Sequence, residues 1–353
     1  MSSDVVIAAA PSERANQRDN EAEERDVRSS RGGWGRYILF KFGGMMCSLV
    51  MVVFMGFFAF RILPGDPVQS VTDGRQVTPE QLVAIRHQYG LDQPLLVQFW
   101  DYLTGLATGN LGTSFVYHDT VANLIAERIG PTLLLTTTSA VLAVIVGLWL
   151  GQKAAWKRGS LFDRIHTGLA LFFWSVPTFW LGLLLILVFC GSFHWFPSGG
   201  MRTPGADYTG LMLVIDVARH MVLPVLSMMA VSYAQYLVIM RSSLLEEMNA
   251  DYLLTARAKG LKEDDVRRHH AVPNALLPTI TMLFLTLGGL IGGAVTVETV
   301  FSWPGLGYLT YQALSTPDYP VLQGTFVVFS GIVIVTNFLA EIVYRIADPR
   351  LRG

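Results

Sequence analysis

Charged side chains are scarce in this chain, and one stretch holds a disproportionate share of them. "DYLLTARAKGLKEDDVRRHHAVPNALLP", from Asp251 to Pro278, sets Arg257, Lys259, Lys262, Arg267 and Arg268 beside Glu263, Asp264 and Asp265. Its adjacent His269 and His270 point in different directions on a helix, which defeats joint ligation of a metal. Cys47 and Cys190 fall inside apolar runs, where a thiol behaves as a small hydrophobe. No G-x-x-x-x-G-K-S/T, H-E-x-x-H, G-x-S-x-G or C-x-x-C occurs. The residues therefore predict no catalytic group, phosphate cradle or metal site, and any work the chain does must be powered from elsewhere.

Composition supplies the frame for that stretch. Hydrophobic residues make up 52% of the 353 and charged residues 15%, with a net charge of -1. This balance points to a bilayer and away from nucleic acid. Six apolar runs have the roughly 20 residues needed to cross about 30 Å of hydrocarbon as helix. They are 38–60, 132–150, 167–190, 221–240, 276–297 and 322–344. Backbone groups in lipid must be satisfied within their own segment, and the alternation of a barrel is missing, so the reading is an all-α integral membrane protein with six transmembrane helices. The first run is too long for a signal-peptide core and no small-residue cleavage site follows it, so it is expected to remain as a span.

Lysine and arginine set the orientation. Residues 1–36, 151–166 and 241–275, with the end of the chain, carry 19 of the 26. Those segments and both termini are predicted to be cytoplasmic. Residues 1–36 are polar and read as a disordered tail, with the membrane domain occupying 37–353. The largest segment on the other side, 61–130, holds two short helices. In "VTPEQLVAIRHQYG", Thr78 and Gln81 form a capping box around Pro79, and Gly90 stops the helix. "PLLVQFWDYLTGL" places Leu95, Phe99, Tyr102, Leu103 and Leu106 along one side. These helices suit the membrane interface, or a docking surface for an external partner.

The charged stretch lies in the longest cytoplasmic loop, 241–275. Small Ala256 and Ala258 with Gly260 as a stop suit a short helix lying across the end of a bundle and open to close approach by another protein. Pro273 and Pro278 restart the chain into the fifth span. "TARAKGL" followed by "HAVPNALLP" resembles the cytoplasmic coupling motif of ABC importer permeases, in the form found in dipeptide and oligopeptide B-type subunits. "RILPGDPV", "YGLDQPLLVQFWDYLTGLATGNLGTSF", "VETVFSWPGLGYL", "DYPVLQG" and "ADPRLR" agree, in order, from about Gly35 to Arg352. The general importer pattern begins with Glu and two alanines. Leu254, Thr255 and Ala256 hold those places here, so Ala256, Gly260 and Pro273 are the residues that match.

The resemblance implies a type I ABC importer permease-like fold, multi-pass in the cytoplasmic membrane of a prokaryote, with a helical extracytoplasmic insertion after the first span. It implies three kinds of neighbour besides lipid: a second related permease subunit in a heterodimer, two cytoplasmic ABC ATPase subunits or domains, and an extracytoplasmic substrate-binding protein. ATP and Mg would belong to the ATPases, so this chain would bind no cofactor. The implied cargo is di- or oligopeptide, with glutathione or nickel as the alternative. The implied ATPase-coupling loop comprises Asp251, Tyr252, Thr255, Ala256, Arg257, Ala258, Lys259, Gly260, Leu261 and Pro273, acting as a lever on the spans.

Other residues carry weaker signals. "SWPGLGYL" predicts a tight re-entrant turn, and Glu298, Trp303, Pro304, Gly305 and Gly307 are read as a gate or a contact for the binding protein. Gly288 with Gly292 and Gly289 with Gly293 have the spacing of close helix packing, within the chain or against the second permease. Pro177 and Pro224 are expected either to kink their spans or to be tolerated there. Glu341 and Arg345 suit an ordinary i,i+4 pair. A membrane-embedded enzyme or autonomous transporter would need a catalytic constellation or several ionisable groups at mid-membrane, and the sequence presents neither.

Overall fold

The computed structural model describes residues 11–62, 78–88, 90, 92–276, 279 and 293–347. Among the described residues the regular structure is helical, apart from one isolated bridge between Thr113 and Thr120. In order these are α1 (Pro11–Ile62), α2 (Pro79–Gln88), α3 (Leu95–Ala107), α4 (Val121–Trp156), α5 (Leu161–Ser175) and α6 (Thr178–Leu185), the last running into a π-helical turn at Ile186–Ser192. Then come α7 (Gly210–Glu247), α8 (Asp251–Ala258), α9 (Glu263–Val266) with a second π-helical turn at Arg267–Ala271, α10 (Leu306–Ser315) and α11 (Tyr319–Ala347).

Among the described residues, four stretches are long and apolar enough to cross a bilayer: Gly35–Phe60, Val121–Trp156, Gly210–Glu247 and Tyr319–Val343. A fifth is made by α5 with α6 and its π turn, bent by 103°. The bend falls at Val176 and Pro177. Proline has no N–H to continue the helix and forces the preceding residue out of the helical region, which leaves Val176 extended at φ -87° and ψ 129°. Pro177 thus breaks its span, whereas Pro224 is tolerated in the buried interior of α7. The expected span 276–297 lies mostly outside the described residues, with residues 293–300 helical.

Within the stretch expected to be a tail, α1 already begins at Pro11. Residues 11–36 lack apolar mass but are rich in Glu and Arg, good helix formers, with Glu21 and Glu24 each four residues before an arginine. A low apolar content argues against a packed core, not against a helix.

The closest helix pair is α4 with α7. A Cβ on Gly147 would fall 2.6 Å from the Tyr233 carbonyl oxygen, and one on Gly151 2.7 Å from that of Leu237. These two glycines, four apart, let the backbones touch. Around them Ala143, Leu150, Ala234 and Leu237 are buried. By contrast α1 is peripheral. It leans on α11 through the Phe42 and Phe338 rings, 6.4 Å apart, and through Lys41 Nζ, which donates to Glu341 Oε1 at 2.8 Å. The expected pair of Glu341 with Arg345 involves a side chain outside the described residues. Leu39, Phe40, Val50 and Met51 on α1 are exposed, as lipid-facing residues would be.

The segment after α1 forms as its turn chemistry predicts. The Thr78 N–H donates to Gln81 Oε1 (3.0 Å) and the Gln81 N–H to Thr78 Oγ1 (3.3 Å), closing the capping box. Gly90 takes φ +63°. Phe99 and Tyr102 of α3 meet the Phe57 ring of α1 at 5.2 and 5.6 Å, while Leu95 and Trp100 stay exposed.

Candidate functional site

The eight residues of α8 lie across one end of α4 and α7. Leu253 and Ala256, three apart and so on one face, are buried with Ala155, Met240, Leu244, Val266, Ala271 and Ala275. Ala256 therefore faces its own bundle, which corrects the reading of it as a surface offered to another protein. Its small side chain lets α8 lie flat. The outward face presents Leu254, 61% exposed, with Asp251, Thr255 and Ala258, and Leu261 follows at 41%.

Gly260 ends α8 by backbone requirement. At φ +80° it occupies the left-handed region, its N–H bonds the Arg257 carbonyl (2.9 Å) and the Leu261 N–H reaches that of Ala256 (3.4 Å). This is the Schellman closure. Nothing lies within 4 Å of where a Cβ would stand, so conformation and not space calls for glycine.

Charges around α8 pair locally. Asp251 sits in its first turn, favourable to the helix dipole. Arg257 Nε bonds Glu263 Oε1 at 2.9 Å, while Arg267 and Arg268 share Asp264 at 2.5 and 3.0 Å. Lys259 and Pro273 are exposed. The Tyr252 hydroxyl donates to Glu247 and accepts from Asn274 Nδ2 at 2.9 Å; burial raises it above the ordinary tyrosine range, so it keeps its proton. Arg241 makes a two-armed pair with Asp163 of α5, 2.7 and 2.9 Å, an anchor between α5 and α7 that the sequence reading missed.

At the other end of α4 the residues read as a gate are interior. Glu298 is 0% exposed. Thr132 Oγ1 donates to its Oε1 at 2.7 Å, and the Gly307 and Tyr308 N–H groups to its Oε2 at 2.7 and 3.1 Å. The carboxylate thereby caps the first turn of α10. Thr132 Oγ1 also accepts from the Leu306 N–H (2.8 Å), and the Trp303 indole donates to the Pro131 carbonyl (3.0 Å). Glycine is needed at 305, where a Cβ would run into the Glu298 carboxylate, and at 307, where it would lie 2.5 Å from Val295 Cα. Glu298, Trp303, Gly305 and Gly307 are buried and Pro304 is half-buried. The Trp-Pro-Gly turn folds α10 back onto Glu298, so these residues fasten the chain to itself.

A second buried carboxylate, Asp318, went unassigned. It accepts from Ser114 Oγ (2.5 Å) and the Val116 N–H (3.1 Å), fastening the loop before α4 to the start of α11. Its place just ahead of a helix was the available signal. Gly288, Gly289 and Gly292 lie outside the described residues, and a Cβ on Gly293 would meet nothing within 4 Å. Among the described residues, close helix packing is made by Gly147 and Gly151, whose "GLWLG" spacing was equally legible.

A short helix flat across one end, over a bundle whose opposite end is internally locked, is the arrangement that the comparisons address. Residues 132–353 match the family described as binding-protein-dependent transport system inner membrane component, and residues 35–136 match its N-terminal membrane component. The chain belongs to this permease family. A Brucella suis biovar 1 protein that carries a peptide permease name is 40% identical over 311 residues, covering 88% of this chain and 95% of that one. The di/tripeptide transport system permease protein DppB of Pseudomonas aeruginosa is 37% identical, covering 90% and 98%. The glutathione transport system permease protein GsiC of Salmonella choleraesuis is 37% identical with the same coverage. In fold the permease is similar to the MetNI methionine ABC transporter in an inward-facing conformation, with a TM-score of 0.51 and 19% identity over 64% of this chain and 96% of that one. The permease is thus a multi-pass, prokaryotic inner-membrane component of the ABC importer class, and not itself a catalytic subunit.

Proposed function

We propose that this permease forms half of the translocation pathway of an ATP-driven importer of di- and oligopeptides, with α8 as its coupling helix. The observation that carries the reading is the two-faced packing of α8: Leu253 and Ala256 fix it to α4 and α7, while Leu254, Ala258 and Leu261 are left facing outward. An exposed leucine on a helix anchored this firmly suits a partner's groove. The partner is a separate cytoplasmic ABC ATPase that holds ATP and Mg, one for this chain and one for a second, related permease across the pathway. This chain binds no cofactor. The α8 end and both termini face the cytoplasm, 37–353 form one permease domain of six spans, and an extracytoplasmic binding protein delivers the cargo.

Closure of the two ATPases on ATP would move α8, and α8 would rock the spans between outward and inward access. Relatives named for peptides support the substrate class. Glutathione, itself a tripeptide, is the second reading, favoured by the glutathione permeases among the relatives. The test is cross-linking from Ala258→Cys in the assembled complex, together with ATP-driven uptake of labelled dipeptide and glutathione into vesicles. A cross-link to a nucleotide-hydrolysing neighbour is expected. Its absence in an assembled, transporting complex would overturn the assignment of α8.

A further inference from the structure

The π-helical turn at Arg267–Ala271 changes which residues of the following helix face the bundle. Val266 is buried, and in an unbroken α-helix the next buried positions would be 269 or 270 and then 273 or 274. The buried residues are instead Ala271 and Ala275. The wider turn delays the face by about one residue, and it leaves His270 and Asn274 on the side where Tyr252 stands. There Asn274 Nδ2 donates to the Tyr252 hydroxyl at 2.9 Å. The His270 carbonyl lies 3.3 Å from the same amide and 3.4 Å from the same hydroxyl. Tyr252 in turn donates to Glu247 at the end of α7.

We propose that Tyr252 and Asn274 are positioning residues: a hydrogen-bonded strut that transmits displacement of α8 into the helix leading to the fifth span, with the π turn serving to bring Asn274 into reach. This rests on the reading of α8 as the coupling helix. Without the strut, α8 holds to that helix through the Leu253 and Ala256 packing and the exposed Arg257 pair with Glu263. Apolar packing is non-directional and lets one helix slide on another, whereas the amide and hydroxyl fix both distance and angle.

The test uses the full complex in nanodiscs, with Cys47 and Cys190 replaced, a spin label at Thr296→Cys, and a separate Ala258→Cys cross-link to the ATPase. In the parent complex the label should change its environment between the nucleotide-free and ATP-bound states. In Asn274→Ala, and separately in Tyr252→Phe, that change should shrink by at least half while the cross-link persists. The double variant should lose clearly less than the sum of the two single losses, because both remove the shared Tyr252–Asn274 bond. A full nucleotide response in both single variants, with the cross-link intact, overturns the strut. Loss of the cross-link in the parent instead overturns the assignment of α8 beneath it. Thermal stability of each variant separates a failed fold from a failed strut.

Discussion

At one end of α4, Glu298 and Asp318 are buried and receive hydrogen bonds from hydroxyls and backbone N–H groups. At the other end, Glu263 and Asp264 are more than half exposed and pair with arginines of their own short segment. The first arrangement takes carboxylates out of water, which is tolerable only when fixed donors saturate them. It ties together parts of the chain that are far apart in sequence. The second arrangement leaves charge in solvent, where each pair contributes about 1 kcal/mol or less. The second end has its own buried anchor in Asp163 and Arg241, but the charges around α8 itself stay in solvent, where a partner can reach them.

Substitutions at three positions probe this contrast, in order of expected effect. Glu298→Ala should be the most damaging, since it orphans Thr132 and the two N–H groups of α10 at once. A loss of about 3 kcal/mol is expected, seen as a lower unfolding temperature of the purified complex, and a wild-type melt would show that the lock is not structural. Gly260→Trp should reduce import per ATP hydrolysed severalfold. Gly260→Ala should show about 1–2 kcal/mol of local cost from the left-handed turn alone. Equal import in the tryptophan variant would mean that no partner approaches this turn. The smallest effect is expected from Arg257→Ala, about 0.5 kcal/mol or less on stability. If it proved as harmful as Glu298→Ala, the two ends would not differ in the way described.

Much of this was legible beforehand, and the misses share a cause. The capping box of Thr78 and Gln81, the stop at Gly260 and the long apolar runs are local, and local chemistry decides them. The bonding of Glu298 was not legible because its partners, Thr132 and Gly307, come from two other helices whose approach no local pattern reveals. Ala256 was assigned to the wrong side of α8 because a short helix with both apolar faces partly filled has no single periodic stripe. Asp163 and Arg241 are 78 residues apart, and nothing in either neighbourhood announces the other. The π turn at Arg267–Ala271 is a further example: it shifts a face by a residue without leaving a mark in composition.

The two family matches overlap at residues 132–136, inside the unbroken helix Val121–Trp156. That seam coincides with Thr132, whose hydroxyl serves both Glu298 and Leu306. The amino-terminal third is consequently not a detachable module. Any shortened version meant to keep the α10 end intact must start ahead of Val121, which with Leu124 and Ile125 lies in the cluster beneath α10. A deletion drawn at the family boundary would cut through the keystone it was meant to spare.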